Sequence, residues 1–260
     1  MPYRASHTLG ETMTIQKYLL AALSASGVLT LAACGGGDFI PNPYKFPDKG
    51  TPVASTVTID FNTGIDGWRA DVADYTDKDR PTEVAFGWKD LPAPLNGKGY
   101  YLAARNNRAN DVLTYATRQL EGFVPTTKYA LTFEMRYATD AATGCTGAGG
   151  SRGDSVYMVA AANYYNINTV ERSDGHFRMN VDRGNQAVSG TEGKVLGTQG
   201  VAGLDCTGGR WASTTRKSSE AIVVTSDKDG RFWIALGADS GFEGSNAFYL
   251  QGAIINIKPL

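Results

Sequence analysis

The stretch Lys128–Tyr137, with the sequence KYALTFEMRY, decides the fold class. Its even-numbered positions are mostly polar or small, whereas its odd-numbered positions carry the large apolar side chains Tyr129, Leu131, Phe133, Met135 and Tyr137. In an extended chain, successive side chains point to opposite faces, so this period of two predicts a β-strand. One face of that strand is expected in a core and the other in water.

Short apolar runs of the same kind recur along the chain. They are VTIDF (57–61), EVAFGW (83–88), YYLAA (100–104), VLTYATR (112–118), VYMVAAA (156–162), FRMNV (177–181), AIVVTS (221–226), RFWIALG (231–237) and AFYLQGAIINI (247–257). Turn signals separate them at Asp66-Gly67, Asn96-Gly97, Asp174-Gly175 and Asp229-Gly230. No stretch keeps a helical period for more than about two turns. The pattern predicts an all-β fold with a single β-sandwich.

Composition and charge exclude several classes of partner. The 260 residues contain 25 Lys and Arg against 26 Asp and Glu, for a formal net charge of −1. A nucleic-acid partner would call for a basic surface, so none is expected. No glycine-rich phosphate loop stands between a strand and a helix, so no nucleotide partner is expected either.

The N-terminal residues 1–33 predict a signal peptide. Lys17 precedes a short apolar stretch, YLLAALSASGVLTLAA, which is shorter than the roughly 20 apolar residues of a membrane-spanning helix. Met13 offers a second start, because the basic region that follows it is already compact. This reading places the rest of the chain outside the cytosol.

Leu31-Ala32-Ala33-Cys34 resembles the lipobox of bacterial lipoproteins. The resemblance implies that Cys34 is acylated, becomes the mature N-terminus and anchors the protein to a lipid bilayer. Residues 34–56 are then the lipidated N-terminus and a Gly- and Pro-rich flexible tether, and residues 57–260 are the β-sandwich domain. Gly35 after the cysteine favours the outer membrane of the bacterial cell envelope over the inner one.

Two further cysteines, Cys145 and Cys206, remain in the exported part of the chain. Oxidation is permitted there, so they predict a disulfide, and closing 61 residues (145 to 206) stabilises by about 4 kcal/mol in the chain-entropy model. No CxxC pair exists, and His176 is the single histidine beyond residue 33. A zinc site of the usual spacing is therefore excluded.

Three motifs resemble the jelly-roll carbohydrate-binding modules of secreted bacterial proteins. They are Ile59-Asp60-Phe61 followed by Gly67-Trp68, the entry Phe123–Tyr129 into the long alternating strand, and the strand Ala247–Leu250. The chain also resembles uncharacterised bacterial lipoproteins. The first resemblance implies a sandwich of jelly-roll type. It does not imply a structural calcium, because Leu250-Gln251-Gly252 stands where such modules often carry an acidic residue.

Candidate catalytic and metal motifs have simpler explanations. Gly149–Gly153 matches GxSxG, with Asp174 and His176 as conceivable partners of Ser151, but a strand follows it where a nucleophile elbow needs a helix. Asp154 is expected to cap the loop instead. The acidic group Asp71, Asp74, Asp77 and Asp79 could hold calcium, although solvated loop charge explains it better. No cofactor is expected, and no metal site is assigned.

The remaining chemistry is suited to sugars, which present an apolar C–H face and a rim of hydroxyl groups. A glycan binder needs aromatic platforms beside planar hydrogen-bonding groups. The candidate ligand-binding residues are Trp68, Tyr75, Trp88, Arg105, Asn106, Asn107, Arg108, Asp111 and Trp211. Trp68 is explained by packing in the core as well as by ligand contact. Residues 105–111 are explained by a polar inter-strand turn as well as by a ligand-contacting loop. The Gly-rich loop 143–154 is a third candidate region.

We therefore expect a membrane-anchored, non-catalytic lipoprotein that binds glycan or a surface protein through the loops of its sandwich. One alternative is a polysaccharide-active enzyme on the same fold, which predicts two acidic side chains that converge in a groove, at least one with a raised pKa. Another is a structural or assembly lipoprotein, which predicts a large exposed apolar patch.

Overall fold

The computed structural model describes residues 50–107 and 111–260, and within them all regular secondary structure is β-strand. The strands are β1 (Ser55–Asp60), β2 (Arg69–Ala73), β3 (Tyr75–Thr76), β4 (Thr82–Asp90), β5 (Lys98–Arg105), β6 (Val112–Leu120), β7 (Lys128–Thr139), β8 (Val156–Asn163), β9 (Thr169–Glu171), β10 (His176–Met179), β11 (Gly184–Asn185), β12 (Val188–Ser189), β13 (Gly193–Thr198), β14 (Ala212–Lys217), β15 (Ile222–Thr225), β16 (Phe232–Ser240) and β17 (Ser245–Pro259). The predicted all-β fold is confirmed.

Two antiparallel sheets form the sandwich. The front sheet has the order β14-β7-β17-β5-β4, with β15 added beside β7 and β1 beside β17. The back sheet has the order β13-β8-β16-β6-β2. Its centre, β16, pairs with β8 on one side and with β6 on the other. The result is the single sandwich of jelly-roll type that the sequence predicts.

The core between the sheets follows from the alternation along β7. Leu131, Met135 and Tyr137 have no exposed surface, whereas Glu134 and Arg136 on the same strand stay accessible. The buried side chains pack against Met158 and Leu236 of the back sheet, among others, in one apolar cluster. Each large apolar side chain buried in this way contributes about 1.5–3 kcal/mol from removal of its surface from water.

The back sheet is covered on its outer face as well. Val159, Ala161 and Tyr115 point away from the sandwich core and pack beneath Ile167 and Met179 of the segment that carries β9 and β10. Burial on both faces explains why β8 reads as a nearly continuous apolar run. The outer face of the front sheet, in contrast, carries only a small apolar cluster built on Leu91, Ala138 and Tyr249.

The predicted disulfide joins Cys145 and Cys206, with Cα atoms 5.6 Å apart. It links the loop that follows β7 to the loop that precedes β14. A parallel bridge between Ala142 and Val201 joins the same two segments. Both loops are therefore held together at the edge of the front sheet. Among the described residues, no helix is long and apolar enough to cross a bilayer.

Candidate functional site

A groove crosses the outer face of the front sheet, and we call it the alanine groove. Its volume is about 210 Å³. It is lined by Glu83, Tyr101, Ala103, Ala104, Asp140, Arg152, Trp211, Ser245, Asn246 and Ala247. These residues come from β4, β5, β17 and the two loops that the disulfide joins.

The register of β5 and β17 builds the groove from alternate residues. Tyr101 lies opposite Tyr249, Ala103 opposite Ala247, and Arg105 opposite Ser245. These three pairs form three rows on the outer face of the sheet: a row of aromatic residues, a row of alanines and a row of polar residues. The residues between them on each strand, such as Leu102 and Phe248, point into the core. A row of methyl groups between two rows of larger side chains leaves a trough.

The aromatic row forms one wall of the groove. The rings of Tyr101 and Tyr249 have centroids 4.9 Å apart, and the rings of Trp211 and Tyr249 have centroids 5.1 Å apart. Burial raises the pKa of Tyr101, and the charges of Asp140 and Glu83 raise it further. Its hydroxyl is therefore protonated at neutral pH and available to donate a hydrogen bond.

The polar row forms the opposite wall. Nη1 of Arg105 donates to Oγ of Ser245 over 3.1 Å and lies 3.8 Å from Oε1 of Glu83. Oγ of Ser245 in turn donates to Oε2 of Glu83 over 2.5 Å. Glu83 sits where the pairing of β4 with β5 shifts register, and its φ of 52° lies in the left-handed region. This irregularity holds its carboxylate next to Arg105.

The disulfide-linked loops supply a second carboxylate and guanidinium. Nη2 of Arg152 donates to the carbonyl oxygen of Asp140 over 2.9 Å and lies 3.0 Å from its Oδ1. Oδ2 of Asp140 accepts from the backbone N–H of Gly209 over 2.9 Å. Positive φ angles at Gly208 and Gly209 allow the chain to turn closely against Asp140. Asp140 is thus fixed by both loops.

Of the predicted residues, Trp211 lines this groove. Arg105 lies at its edge, where it contacts the lining residues Ser245 and Glu83, and others lie elsewhere. Trp68 is 7% exposed and packs on Phe61 in the core. Trp88 lies at the edge of the front sheet and donates from Nε1 to the carbonyl oxygen of Phe61 over 2.7 Å. Trp68 is therefore inaccessible to a ligand. Trp88 lies on one face of β4, and the alanine groove lies on the other.

Asn106 and Asn107 hold the turn after β5. Nδ2 of Asn106 donates to the carbonyl oxygen of Ser240 over 3.1 Å, and Nδ2 of Asn107 donates to the carbonyl oxygen of Arg80 over 3.0 Å. These bonds match the expectation of a polar inter-strand turn. Arg108 and the lipidation candidate Cys34 lie outside the described residues.

Tyr75 and Asp111 line a different cavity, of about 170 Å³, at one end of the back sheet. Beneath it lies the aspartate cluster, which we define as Asp74, Asp111 and Asp239 around the guanidinium of Arg183. Arg183 contacts Asp74 and Asp239 closely and lies 3.5 Å from Oδ2 of Asp111. Of the four acidic residues considered for calcium, only Asp74 takes part.

Burial raises the pKa of Asp111 to about 9, and a hydrogen bond with Asp239 and the charge of Asp239 add to the effect. Burial also raises the pKa of Asp74, against the opposing attraction of Arg183. Burial disfavours the charge on Arg183, but the three carboxylates outweigh it and raise its pKa. The arginine therefore stays charged, whereas Asp111 holds a proton at neutral pH when nothing is bound.

The GxSxG serine does not form a catalytic triad. Oγ of Ser151 donates to Oδ2 of Asp154 over 2.9 Å, and Asp154 also accepts from the N–H of Gly144 over 2.7 Å. His176 lies on β10, with Nδ1 3.3 Å from Oδ2 of Asp174. Asp154 thus closes the Gly-rich loop, as expected for a capping residue.

The residues predicted from the sequence do not include Tyr101, Glu83 or Asp140 of the groove, nor Arg183 or Asp239 of the cluster. Tyr101-x-Ala103-x-Arg105 and Ser245-x-Ala247-x-Tyr249 do carry a signal, because alternate residues share a face. Only the register of β5 with β17 reveals that the two patterns face each other.

Comparison with known proteins gives structural neighbours only. No protein-family model and no curated protein matches the chain. Similar solved structures include the xylan-binding module CBM15, with 13% identity over 78% of this chain and 96% of that one, and a TM-score of 0.36. The family 11 carbohydrate-binding module of Lic26A-Cel5E from Clostridium thermocellum has 12% identity over 81% and 96%, and a TM-score of 0.34.

A third neighbour is the enzymatically active domain of tailspike protein 4 from bacteriophage CBA120. Its identity is 11%, its TM-score is 0.32, and the match covers 76% of this chain. The chain spans only about a fifth of that tailspike, 20% of its length. Two of the three neighbours are thus carbohydrate-binding modules, and one is an enzyme domain.

Proposed function

We propose that the alanine groove binds a neutral glycan. The single observation that carries this proposal is the row Ala103–Ala247 between an aromatic wall and a polar wall. A sugar ring can lie against methyl groups only where no larger side chain fills the face. Its C–H face then meets Tyr101 or Trp211, and its hydroxyl groups meet the carboxylates and guanidinium groups opposite.

The charges in the groove favour an uncharged ligand. Glu83 is paired with Arg105, and Asp140 is paired with Arg152, so each carboxylate already has its own cation. Such pairs can still offer free lone pairs and N–H groups to hydroxyl groups, as required for sugar recognition. An anionic ligand would have to displace an internal partner from one of the arginines. The groove thus supports recognition by hydrogen bonds and stacking.

The same pairing supports a non-catalytic role for the groove. A general acid in a glycosidase must be free to transfer its proton to the leaving group. Both carboxylates of the groove are instead held in ion pairs with an arginine. We therefore assign binding, and not hydrolysis, to this face of the protein.

We further propose that acylated Cys34 tethers the sandwich to the bacterial outer membrane. Cys145 and Cys206 are consumed by their disulfide, which leaves the lipobox cysteine as the remaining thiol of the sequence. Residues 35–54, which precede β1, would then act as the spacer. Labelling with radioactive palmitate tests the anchor: wild-type protein should carry label, and a Cys34→Ala variant should not.

A glycan array with the full-length chain, followed by titration calorimetry on the glycans that bind, tests the groove. Trp211→Ala and Arg105→Ala should each weaken binding about tenfold or more, as for a buried contact at a binding hot spot. Trp88→Ala is the matched control, because Trp88 is exposed on the other side of β4. Absence of binding to every glycan, or equal losses in all three variants, would overturn the proposal.

One observation favours a second candidate function, that of a polysaccharide-active enzyme. Asp74 and Asp111 both line the back-sheet cavity, and burial raises the pKa of both. A converging acidic pair of this kind is what a hydrolase would need. Release of reducing ends from a bound polysaccharide, lost in Asp111→Asn, would support this candidate. Unchanged polysaccharide would leave the groove as a binding site alone.

A further inference from the structure

The aspartate cluster is built by three neighbouring strands of the back sheet. Asp74 follows β2, Asp111 precedes β6 and Asp239 lies on β16. Ala73 and Asp239 both lie opposite Leu113 of β6, which brings the three carboxyl groups to the same end of the sheet. One carboxylate oxygen from each residue can be chosen so that all of them lie within 4.8 Å of one another.

The charges of this cluster do not balance. Asp239 has no exposed surface, and Arg183 is only 5% exposed, so neither charge is compensated by bulk water. The single guanidinium offsets one of three carboxylates. In the cavity above, the opposite charges of Asp79 and Arg178 cancel in this count, and His176 is a further lining residue. The site holds two negative charges in excess unless protons or a cation neutralise them.

Within residues 50–107 and 111–260, two carboxylate oxygens of the cluster accept no hydrogen bond from an N–H or hydroxyl donor. They are Oδ1 of Asp239 and Oδ1 of Asp111, and both are buried. The other oxygen of Asp239, in contrast, accepts from Arg183 and from the N–H of Gln186 over 2.6 Å. A buried oxygen without a partner is costly, so Oδ1 of Asp239 and Oδ1 of Asp111 are expected to share either the proton of Asp111 or a cation that replaces it.

Calcium meets the requirements of these oxygens. It takes carboxylate oxygens at about 2.3–2.6 Å, so two ligands on opposite sides of the ion are about 4.6–5.2 Å apart. The three carboxylate oxygens of the cluster lie within 4.8 Å of one another, which matches this distance between calcium ligands. A divalent ion would also balance the two excess negative charges. We propose that the aspartate cluster binds one calcium ion, with Asp74, Asp111 and Asp239 as ligands and the cavity beside Tyr75 as the entry path.

This site is separate from the glycan proposal, because it lies on the back sheet and the alanine groove lies on the front sheet. It also differs from the acidic group 71–79 that the sequence offers as a calcium candidate, since Asp71, Asp77 and Asp79 contribute no ligand. Asp71 accepts from the N–H of Val72, Asp77 binds Arg80, and Asp79 accepts from Thr76. The ion would join three strands that otherwise present like charges to one another.

The full-length chain, dialysed against a chelator and then titrated with calcium chloride, tests the site. Calorimetry should show one ion per chain, and the Tm should rise by about 5–10 °C at a hundredfold excess over Kd. Asp111→Asn preserves shape and removes one ligand charge, so it should weaken calcium binding about tenfold or more. Asp66→Asn is the matched control, because Asp66 is an exposed aspartate in the turn after β1 and should bind calcium as wild type does.

Asp239→Asn serves as a second ligand variant if Asp111→Asn folds poorly. Absence of heat and of a Tm shift in the wild type up to about 10 mM calcium, which is about tenfold above the weak end of the range for extracellular sites, would overturn the proposal. Equal calcium affinity in the wild type and in both ligand variants would place the ion elsewhere and would also overturn it. Neither result bears on glycan binding, which Trp211→Ala tests independently.

Discussion

The ring of Trp211 meets the ring of Tyr249 edge-on, with centroids 5.1 Å apart and ring planes at 83°. Trp211 comes from the loop that Cys206 ties to the Gly-rich segment, whereas Tyr249 belongs to β17 in the centre of the front sheet. The contact therefore fastens a disulfide-held loop onto the sheet. A platform held from two sides loses little freedom when a ligand stacks on it, which favours binding.

Ala247→Val should block the groove without unfolding the protein. Ala247 faces outward on β17, so two added methyl groups occupy the trough and leave the core untouched. β-branched residues suit an exposed strand position, and the Tm should stay close to that of the wild type. We expect glycan affinity to fall about tenfold or more, measured by calorimetry.

Ala130→Val is the control for that substitution. Ala130 is a partly exposed residue on β7, and it pairs with Val223 and Lys258 at the far end of the same sheet. It should keep wild-type affinity. If Ala247→Val binds as tightly as Ala130→Val, the ligand lies elsewhere.

Replacing both Cys145 and Cys206 by serine should destabilise the domain by about 4 kcal/mol, from the entropy released to a 61-residue loop in the unfolded chain. Urea denaturation of the two proteins measures the difference. Glycan affinity should fall too, because Asp140, Arg152 and Trp211 all lie on the two loops that the bridge joins. Retained affinity would show that these loops hold their shape without it.

Arg183→Met should cost about 3–5 kcal/mol of unfolding free energy, because it leaves the buried Asp239 and the mostly buried Asp74 and Asp111 without their cation. Arg231→Met is the comparison: its guanidinium side chain is 36% exposed in the turn after Asp227, and such surface pairs contribute about 0–1 kcal/mol. Guanidinium chloride denaturation in the presence of a chelator measures both. Similar losses in the two variants would contradict the account of the cluster.

Asp182 should make stability sensitive to acid. Hydrogen bonds from the N–H and hydroxyl of Thr191 lower its pKa below the ordinary 3.8, so folding favours the ionised form. Its contribution is complete above that value and is lost as the pH falls through the lower pKa of the folded protein. Urea midpoints of wild type and Asp182→Asn should therefore converge in acid. A gap that does not depend on pH would refute this.

Most of the sandwich could be predicted because its core strands alternate strongly. Strand β7 and the disulfide follow from side-chain periodicity and from cysteine number alone. Strands β13 and β14, GKVLGT and ASTTRK, went unpredicted because they lie at sheet edges and carry little apolar alternation. Edge strands pack on fewer neighbours, so their sequences are less constrained.

A turn motif predicts a reversal of the chain but not the partner strand. The Asp229-Gly230 turn occurs as predicted, with the N–H of Gly230 donating to the carbonyl oxygen of Asp227 over 3.1 Å. It does not close a hairpin, because β15 pairs with β7 in the front sheet whereas β16 pairs with β6 and β8 in the back sheet. The turn carries the chain from one sheet to the other.

The candidate groove could be predicted only in part, for a physical reason. Arg105 and Trp211 have side chains whose chemistry is visible in the sequence. Ala103 and Ala247 contribute through their small side chains, which leave the groove open. The sequence alone does not show where a small side chain produces a groove. Arg105 and Ser245 are 140 positions apart, and only strand register brings them together. The same holds for Arg183 and Asp239.

The placement of β17 has a kinetic consequence. Its pairing with β1 includes a hydrogen bond between Thr56 and Asn256, which are 200 positions apart. Such a high contact order predicts slow folding, on the scale of about milliseconds to seconds, because distant segments have to meet before the sheet can close. During that interval the β7 segment is exposed and prone to self-association, so the newly made chain is expected to need a holding chaperone until its last strand is in place.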